Sequence, residues 1–341
     1  MKKSVELAKF QGINKDFGGA FRTQRTSGLE EVIKSTMAPT NDRKLTGLVA
    51  ATFTPFTIKG EINLSVIGPY VEYLIEKQGV KSIFVNGTTG ESPSLSVAER
   101  KALAEEWCGK ARGRMDQVVV HVGAMSLRDS QDLARHAAQI GADGIAVIAP
   151  FFFKPKTADA LRKFLQEVAS AASALPFYYY QIPAITGINM PVMEVVEGIE
   201  QLIPSFRGVK FSGMDLMDLG QCVMHSQPQW SILYGVDEQL LAALAMGANG
   251  AVGSTFNYLG SHVNKLLSAF ERGDLIQARA IQFQMQELLS FAMKLGFDVG
   301  VNKQLMMEVS GLHLGPPRLP LMPCPLERSE KILQKYRSLF P

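Results

Sequence analysis

The sequence predicts a closed (β/α)8 barrel followed by a C-terminal helical extension. Three observations carry that expectation: eight short β-branched or aromatic runs recur along the chain, longer stretches of helical periodicity separate them, and the eight pairs fit within about 225 residues. An open doubly wound sheet has fewer units and a switch point in its strand order, so the count favours closure.

The predicted strands are 48–53, 82–86, 118–122, 144–149, 177–181, 208–211, 231–234 and 250–253. Stretches such as 65–78, 96–108, 126–140 and 158–172 are long enough for the crossover helices, and 239–246 reads as another. Ser96 followed by Glu99 has capping-box spacing. Gly141 and Gly247 stand where C-cap glycines end helices. After Gly273 the strand signals stop. Stretches 275–295, 303–310 and 327–339 then read as helices, and the prolines of 315–325 (GPPRLPLMPCP) make that segment an extended, rigid connector. The expected organisation is a flexible segment over 1–45, the barrel over 46–272 and a helical region over 273–341.

Composition narrows the function classes. The 341 residues hold 35 Lys+Arg against 32 Asp+Glu. Residues 1–46 contain nine basic and five acidic residues, so the barrel and extension are electrically balanced. No basic stripe marks a nucleic-acid surface, and no run of about 18 apolar residues marks a membrane span. Residues 1–46 lack the apolar core of a secretory signal, and their four carboxylates before Asp42 are ones an organelle-targeting peptide avoids. Met37 offers an alternative start. Cys108, Cys222 and Cys324 are odd in number and widely spaced, which fits a reducing, cytoplasmic compartment better than a disulfide framework.

In a barrel of this kind the chemistry lies beyond the carboxyl ends of the strands. Polar residues gather there. In Gly208-Val-Lys-Phe-Ser212 the period of two turns Val209 and Phe211 toward the helices and Lys210 with Ser212 toward the axis. Dehydration there favours the neutral amine, a nucleophile toward carbonyls, although an ion pair at the barrel mouth suits a lysine equally. Lys154 is a rival, in a loop beside Pro155. In Phe177-Tyr-Tyr-Tyr-Gln181 the same alternation pairs Tyr178 with Tyr180, the latter nearer the rim, where a phenol can shuttle protons or simply fill a layer. Thr88 and Thr89, flanked by Gly87 and Gly90, offer hydroxyls and N–H groups for a carboxylate, or a turn and a cap. Asp237 suits either a polyol or a helix N-cap, whereas Glu238 has no obvious structural role. His121, His136, His225, His262 and His313 lack the spacing of a metal motif, so no metal and no cofactor is expected.

Gly87-Thr-Thr-Gly-Glu91, Tyr180-Gln-Ile-Pro-Ala-Ile-Thr-Gly187, Gly208-Val-Lys-Phe-Ser212, Gly235-Val-Asp-Glu238 and Gly253-Ser-Thr255 stand in the order and spacing of the pyruvate-dependent class I aldolases, which the chain resembles over roughly 45–321. The resemblance is to the N-acetylneuraminate lyase branch. It implies retro-aldol cleavage of N-acetylneuraminate to N-acetylmannosamine and pyruvate, with Lys210 forming the Schiff base, Tyr180 moving the proton and Thr88 counted with them as catalytic. It also implies that Thr88 and Thr89 hold the carboxylate, that Ser212, Gly235, Asp237, Glu238 and Ser254 meet the sugar hydroxyls, and that the assembly is a homotetramer. Two departures matter. The related dihydrodipicolinate synthases usually carry an arginine after Tyr-x-x-Pro, where this chain has Ala184-Ile-Thr-Gly, which favours a sugar partner; Glu91-Ser-Pro-Ser-Leu95 is nearer the synthase loop. Phe151-Phe-Phe153 lacks the hydroxyl that relatives send into a neighbouring subunit. The alternatives are an aldolase for another 2-keto acid, or a silent keto-acid-binding barrel.

Overall fold

The structure, a computed structural model, describes residues 43–341. The expectation for residues 1–45 therefore falls almost wholly outside the described residues. Eight parallel strands close into a barrel in sequence order: β1 Gly47–Ala51, β2 Ser82–Val85, β3 Gln117–His121, β4 Gly144–Ile148, β5 Phe177–Gln181, β6 Phe206–Phe211, β7 Ser231–Tyr234 and β8 Gly250–Gly253. The circuit closes where β1 pairs with β8, with Val49 opposite Val252. Strand 6 begins two residues earlier than the apolar run suggested, because Phe206 pairs with Phe177 ahead of a register shift.

The outer helices are α1 Ile67–Tyr73, α2 Val97–Ala111, α3 Leu127–Gln139, α4 Ala158–Ala169, α5 Val192–Val196, α6 Leu216–Met224, α7 Leu240–Ala245 and α8 Phe256–Glu271. Their starts follow local chemistry. Ser96 accepts from the Glu99 N–H while Glu99 accepts from the Ser96 N–H, completing the capping box at the head of α2. Ser126 and Thr157 cap α3 and α4 with one bond each, accepting from the Asp129 and Ala160 N–H groups.

Two apolar layers hold the barrel together. Outward residues of the strands, such as Phe177, Tyr179, Val209 and Phe211, pack beneath the helices, while Val49, Phe84, Val119, Tyr178, Tyr180 and Leu233 fill the interior. The period of two read from the sequence is thus realised on both β5 and β6. Gly208 shows why a small residue stands in that layer: its φ of +142° and the Ser231 backbone beside it leave no room for a Cβ.

Three further helices follow, α9 Leu275–Lys294, α10 Val299–Ser310 and α11 Leu326–Leu339. Helix α10 starts four residues before the expected 303, since Asp298 caps it by accepting from the Val301 N–H at 2.8 Å. The proline-rich connector is a strap across the barrel. The Phe56 N–H donates to Leu314 O at 2.8 Å, and the Arg318 guanidinium donates to Ser94 O at 2.8 Å and to both Glu99 oxygens.

Candidate active site

A cavity of about 340 Å³ opens at the carboxyl ends of the strands. All nine residues singled out in the sequence line it: Thr88, Thr89, Tyr180, Lys210, Ser212, Gly235, Asp237, Glu238 and Ser254. Lys154 does not; it stands exposed in the loop after β4.

Lys210 occupies the centre. It is 5% exposed, flanked in register by Tyr180 on β5 and Leu233 on β7. Its ammonium lies 3.9 Å from the centroid of the Tyr180 ring and 4.2 Å from that of Phe84. These two rings cup the amine, and Tyr180 stands edge-on to both Phe84 and His121. This cup limits the motion of the lysine side chain and leaves its nitrogen facing the cavity. His121 serves the scaffold. Its Nδ1 lies 2.8 Å from Asn86 O, and burial drives its pKa well below the usual imidazole value, so it is neutral.

The Tyr180 hydroxyl is 3.1 Å from Thr88 Oγ1, which joins β5 to the loop after β2. Across the cavity, Asp237 does not cap α7. Its Oδ2 accepts from the Thr255 N–H at 2.9 Å and the Thr255 hydroxyl at 2.7 Å, which ties the β7 turn to the β8 turn. Burial raises the Asp237 pKa, the Thr255 bonds oppose that, and the charge of Lys210 opposes it further. Burial likewise raises Glu238. Gly253 is required here because a Cβ on it would overlap the Asp237 carboxylate, and a Cβ on Gly235 would overlap Ser212 Oγ. The Ser212 hydroxyl is buried without a hydrogen-bond partner although it borders the cavity, so it is free to meet a ligand.

The sequence reading missed the far wall. Leu289 and Met293 of α9, and Phe297, Asp298, Val299 and Asn302 at the head of α10, also line the cavity. Asn302 donates to Ser254 Oγ at 2.8 Å and accepts from the Tyr258 hydroxyl at 2.9 Å, which fixes its amide orientation and leaves the Ser254 proton free to point into the cavity. Gln282 and Gln286 of α9 donate to the Asp237 and Glu238 carbonyls. Nothing in the sequence pattern connects these residues to the barrel rim, since they act across 45 or more positions of chain. Among the described residues no group of three or more His, Cys, Asp or Glu side chains converges.

The sequence profile of the dihydrodipicolinate synthetase family matches residues 44–337. The chain belongs to this family. Within it, the chain is 63% identical to an N-acetylneuraminate lyase of Danio rerio over 297 residues, 87% of this chain and 97% of that one. It is 58% identical to the N-acetylneuraminate lyase of Homo sapiens over 298 residues, 87% of this chain and 93% of that one. Among solved structures, the N-acetylneuraminate lyase (sialic acid aldolase) of Aliivibrio salmonicida superposes with a TM-score of 0.83 at 36% identity, covering 87% of this chain and 98% of that one. The family frame thus extends over the barrel and the three terminal helices alike.

Proposed function

We propose that the protein is an N-acetylneuraminate lyase, a carbon–carbon lyase that cleaves N-acetylneuraminate reversibly to N-acetylmannosamine and pyruvate. The observation that carries this reading is a buried lysine at the centre of the cavity in a chain 63% identical to a lyase of that name. In this reading the Lys210 amine attacks the C2 carbonyl of the open-chain sugar acid, water departs, and a protonated imine remains. Thr88 and Thr89 hold the C1 carboxylate. Tyr180 relays the proton leaving the C4 hydroxyl as the C3–C4 bond breaks, its hydroxyl oriented by Thr88 Oγ1 at 3.1 Å. The electron pair of that bond passes into the imine as an enamine, the aldehyde leaves, and protonation at C3 followed by water addition returns pyruvate and the free lysine.

Ser212, Gly235, Asp237, Glu238 and Ser254 receive the sugar hydroxyls in the same reading. A free Ser212 hydroxyl and two partly shielded carboxylates suit a polyol, and among the described residues no guanidinium lines the cavity to hold a second carboxylate. We place the enzyme in the cytoplasm as a homotetramer. All three cysteines are free and buried, and no described helix is long and apolar enough to cross a membrane. Phe152 and Phe153, 77% and 87% exposed, form an apolar pair that a neighbouring copy would cover. Incubation with N-acetylneuraminate, followed by chromatography of the products, tests the reading: equimolar N-acetylmannosamine and pyruvate support it. Release of pyruvate only from a different 2-keto acid moves the substrate, and no release from either overturns it.

A further inference from the structure

The loop that follows β2 is gripped from the far end of the chain. Glu91 closes that loop in the left-handed region, with φ of 55°, an uncommon conformation for a residue with a side chain. Its Oε1 accepts from Lys303 Nζ at 3.0 Å and its Oε2 from the Arg318 N–H at 2.8 Å. Both side chains of the ion pair are 0% exposed. Lys303 donates again to Pro316 O at 3.3 Å and sits 4.3 Å from the centroid of the Phe56 ring. On the loop side, the Glu91 N–H donates to Thr88 O at 3.0 Å and the Ser92 N–H to Gly87 O at 3.3 Å, while the Thr54 hydroxyl donates to Gly90 O at 2.6 Å. The anchored carboxylate and the two threonines therefore belong to one turn.

A buried ion pair gains little net stability over an apolar pair of the same size, because two charges must be dehydrated to make it. What it does supply is direction, since a carboxylate held at both oxygens has one place to be. Neither Glu91 nor Lys303 lines the cavity. We propose that Lys303 and Glu91 are positioning residues, through which helix α10 sets the place of Thr88 and Thr89 and so the grip on the substrate carboxylate. The neighbouring Asn302 does the same for Ser254 on the opposite wall, so two consecutive residues of one helix brace both sides of the site. The proposal rests on Thr88 and Thr89 as the carboxylate holders.

The test compares borohydride trapping by pyruvate with trapping by acetone, a ketone that has no carboxylate, in the full chain. Lys303→Met is expected to raise the half-saturating pyruvate concentration about tenfold or more and to leave the acetone rate within about twofold. Glu91→Gln/Lys303→Met strands no charge, so its thermal midpoint returns toward that of the unsubstituted protein while the pyruvate half-saturation stays raised. Where Lys303→Met does not fold, this double variant decides. Equal losses with pyruvate and acetone, or an unchanged pyruvate half-saturation in a folded variant, overturn the proposal. Amide hydrogen exchange over 87–92 gives a readout independent of chemistry: faster exchange in the double variant supports the brace, and unchanged exchange contradicts it. Failure of the unsubstituted protein to trap pyruvate would count against the lyase reading itself, and the exchange measurement would still judge the brace.

Discussion

Replacing Tyr180 with phenylalanine removes one oxygen and leaves the ring where it is. The ring contacts that cup Lys210, at 3.9 Å to its ammonium and 5.6 Å to the Phe84 centroid, survive the change. What is lost is the hydroxyl contact with Thr88 Oγ1 at 3.1 Å. One such bond contributes about 1 kcal/mol to stability, so the thermal midpoint should fall by only a few degrees. The catalytic effect is of another size. General acid–base help is worth about 10²–10⁴ in rate, or about 3–5 kcal/mol of barrier. Tyr180→Phe should therefore lower kcat for N-acetylneuraminate cleavage at least a hundredfold, while borohydride still traps pyruvate on the protein. Coupled assay of pyruvate release gives kcat, and intact mass gives the adduct. A kcat reduced less than about tenfold would refute the role assigned to the phenol, and loss of the adduct together with kcat would show that the substitution disturbs Lys210 instead.

Three further outcomes follow from the geometry. Gly253→Ala places a Cβ against the Asp237 carboxylate and must turn it from Thr255, so KM for N-acetylneuraminate should rise about tenfold or more with pyruvate trapping retained. Gly235→Ala displaces the Ser212 hydroxyl and should likewise raise KM, and a KM unchanged in steady-state kinetics would remove Ser212 from the site. The Arg318 guanidinium holds the Glu99 carboxyl down to about 2, below its usual 4.5. A group depressed on folding stabilises above its unfolded pKa and loses that contribution as pH falls, here between about 4.5 and 2, so urea midpoints should drop less steeply with acid in Glu99→Gln than in the unsubstituted protein.

The parts of this molecule that a sequence discloses are those set by short-range periodicity. Alternation along Phe177–Gln181 and Gly208–Ser212 places Tyr180 and Lys210 inside the barrel, and neighbouring strand registers bring them together. Glycines 235 and 253 stand where the seventh and eighth strand signals end, but the reason they lack side chains is the crowding of Ser212 and Asp237, which only the folded rim creates. Asp237 suited a helix cap by spacing and instead bridges to Thr255, because a tertiary partner 18 residues away offered two donors. The start of α10 was hidden for a related reason. Val299, Gly300, Val301 and Asn302 are poor helix formers, so the Asp298 cap and packing against the rim set that turn. The sequence pattern assigns Asn302 to no helix and only opens one at Lys303, although one holds Ser254 and the other holds Glu91 across 212 positions of chain.

The central claim is that Lys210 is the amine that forms the imine. Incubating the protein with pyruvate and borohydride, then digesting it and mapping the modified peptide by mass, tests this directly, with Lys210→Ala treated in parallel. A single reduced adduct on Lys210, and none in the variant, is the expected result. No adduct, or one that maps to Lys154 or persists in Lys210→Ala, would contradict it.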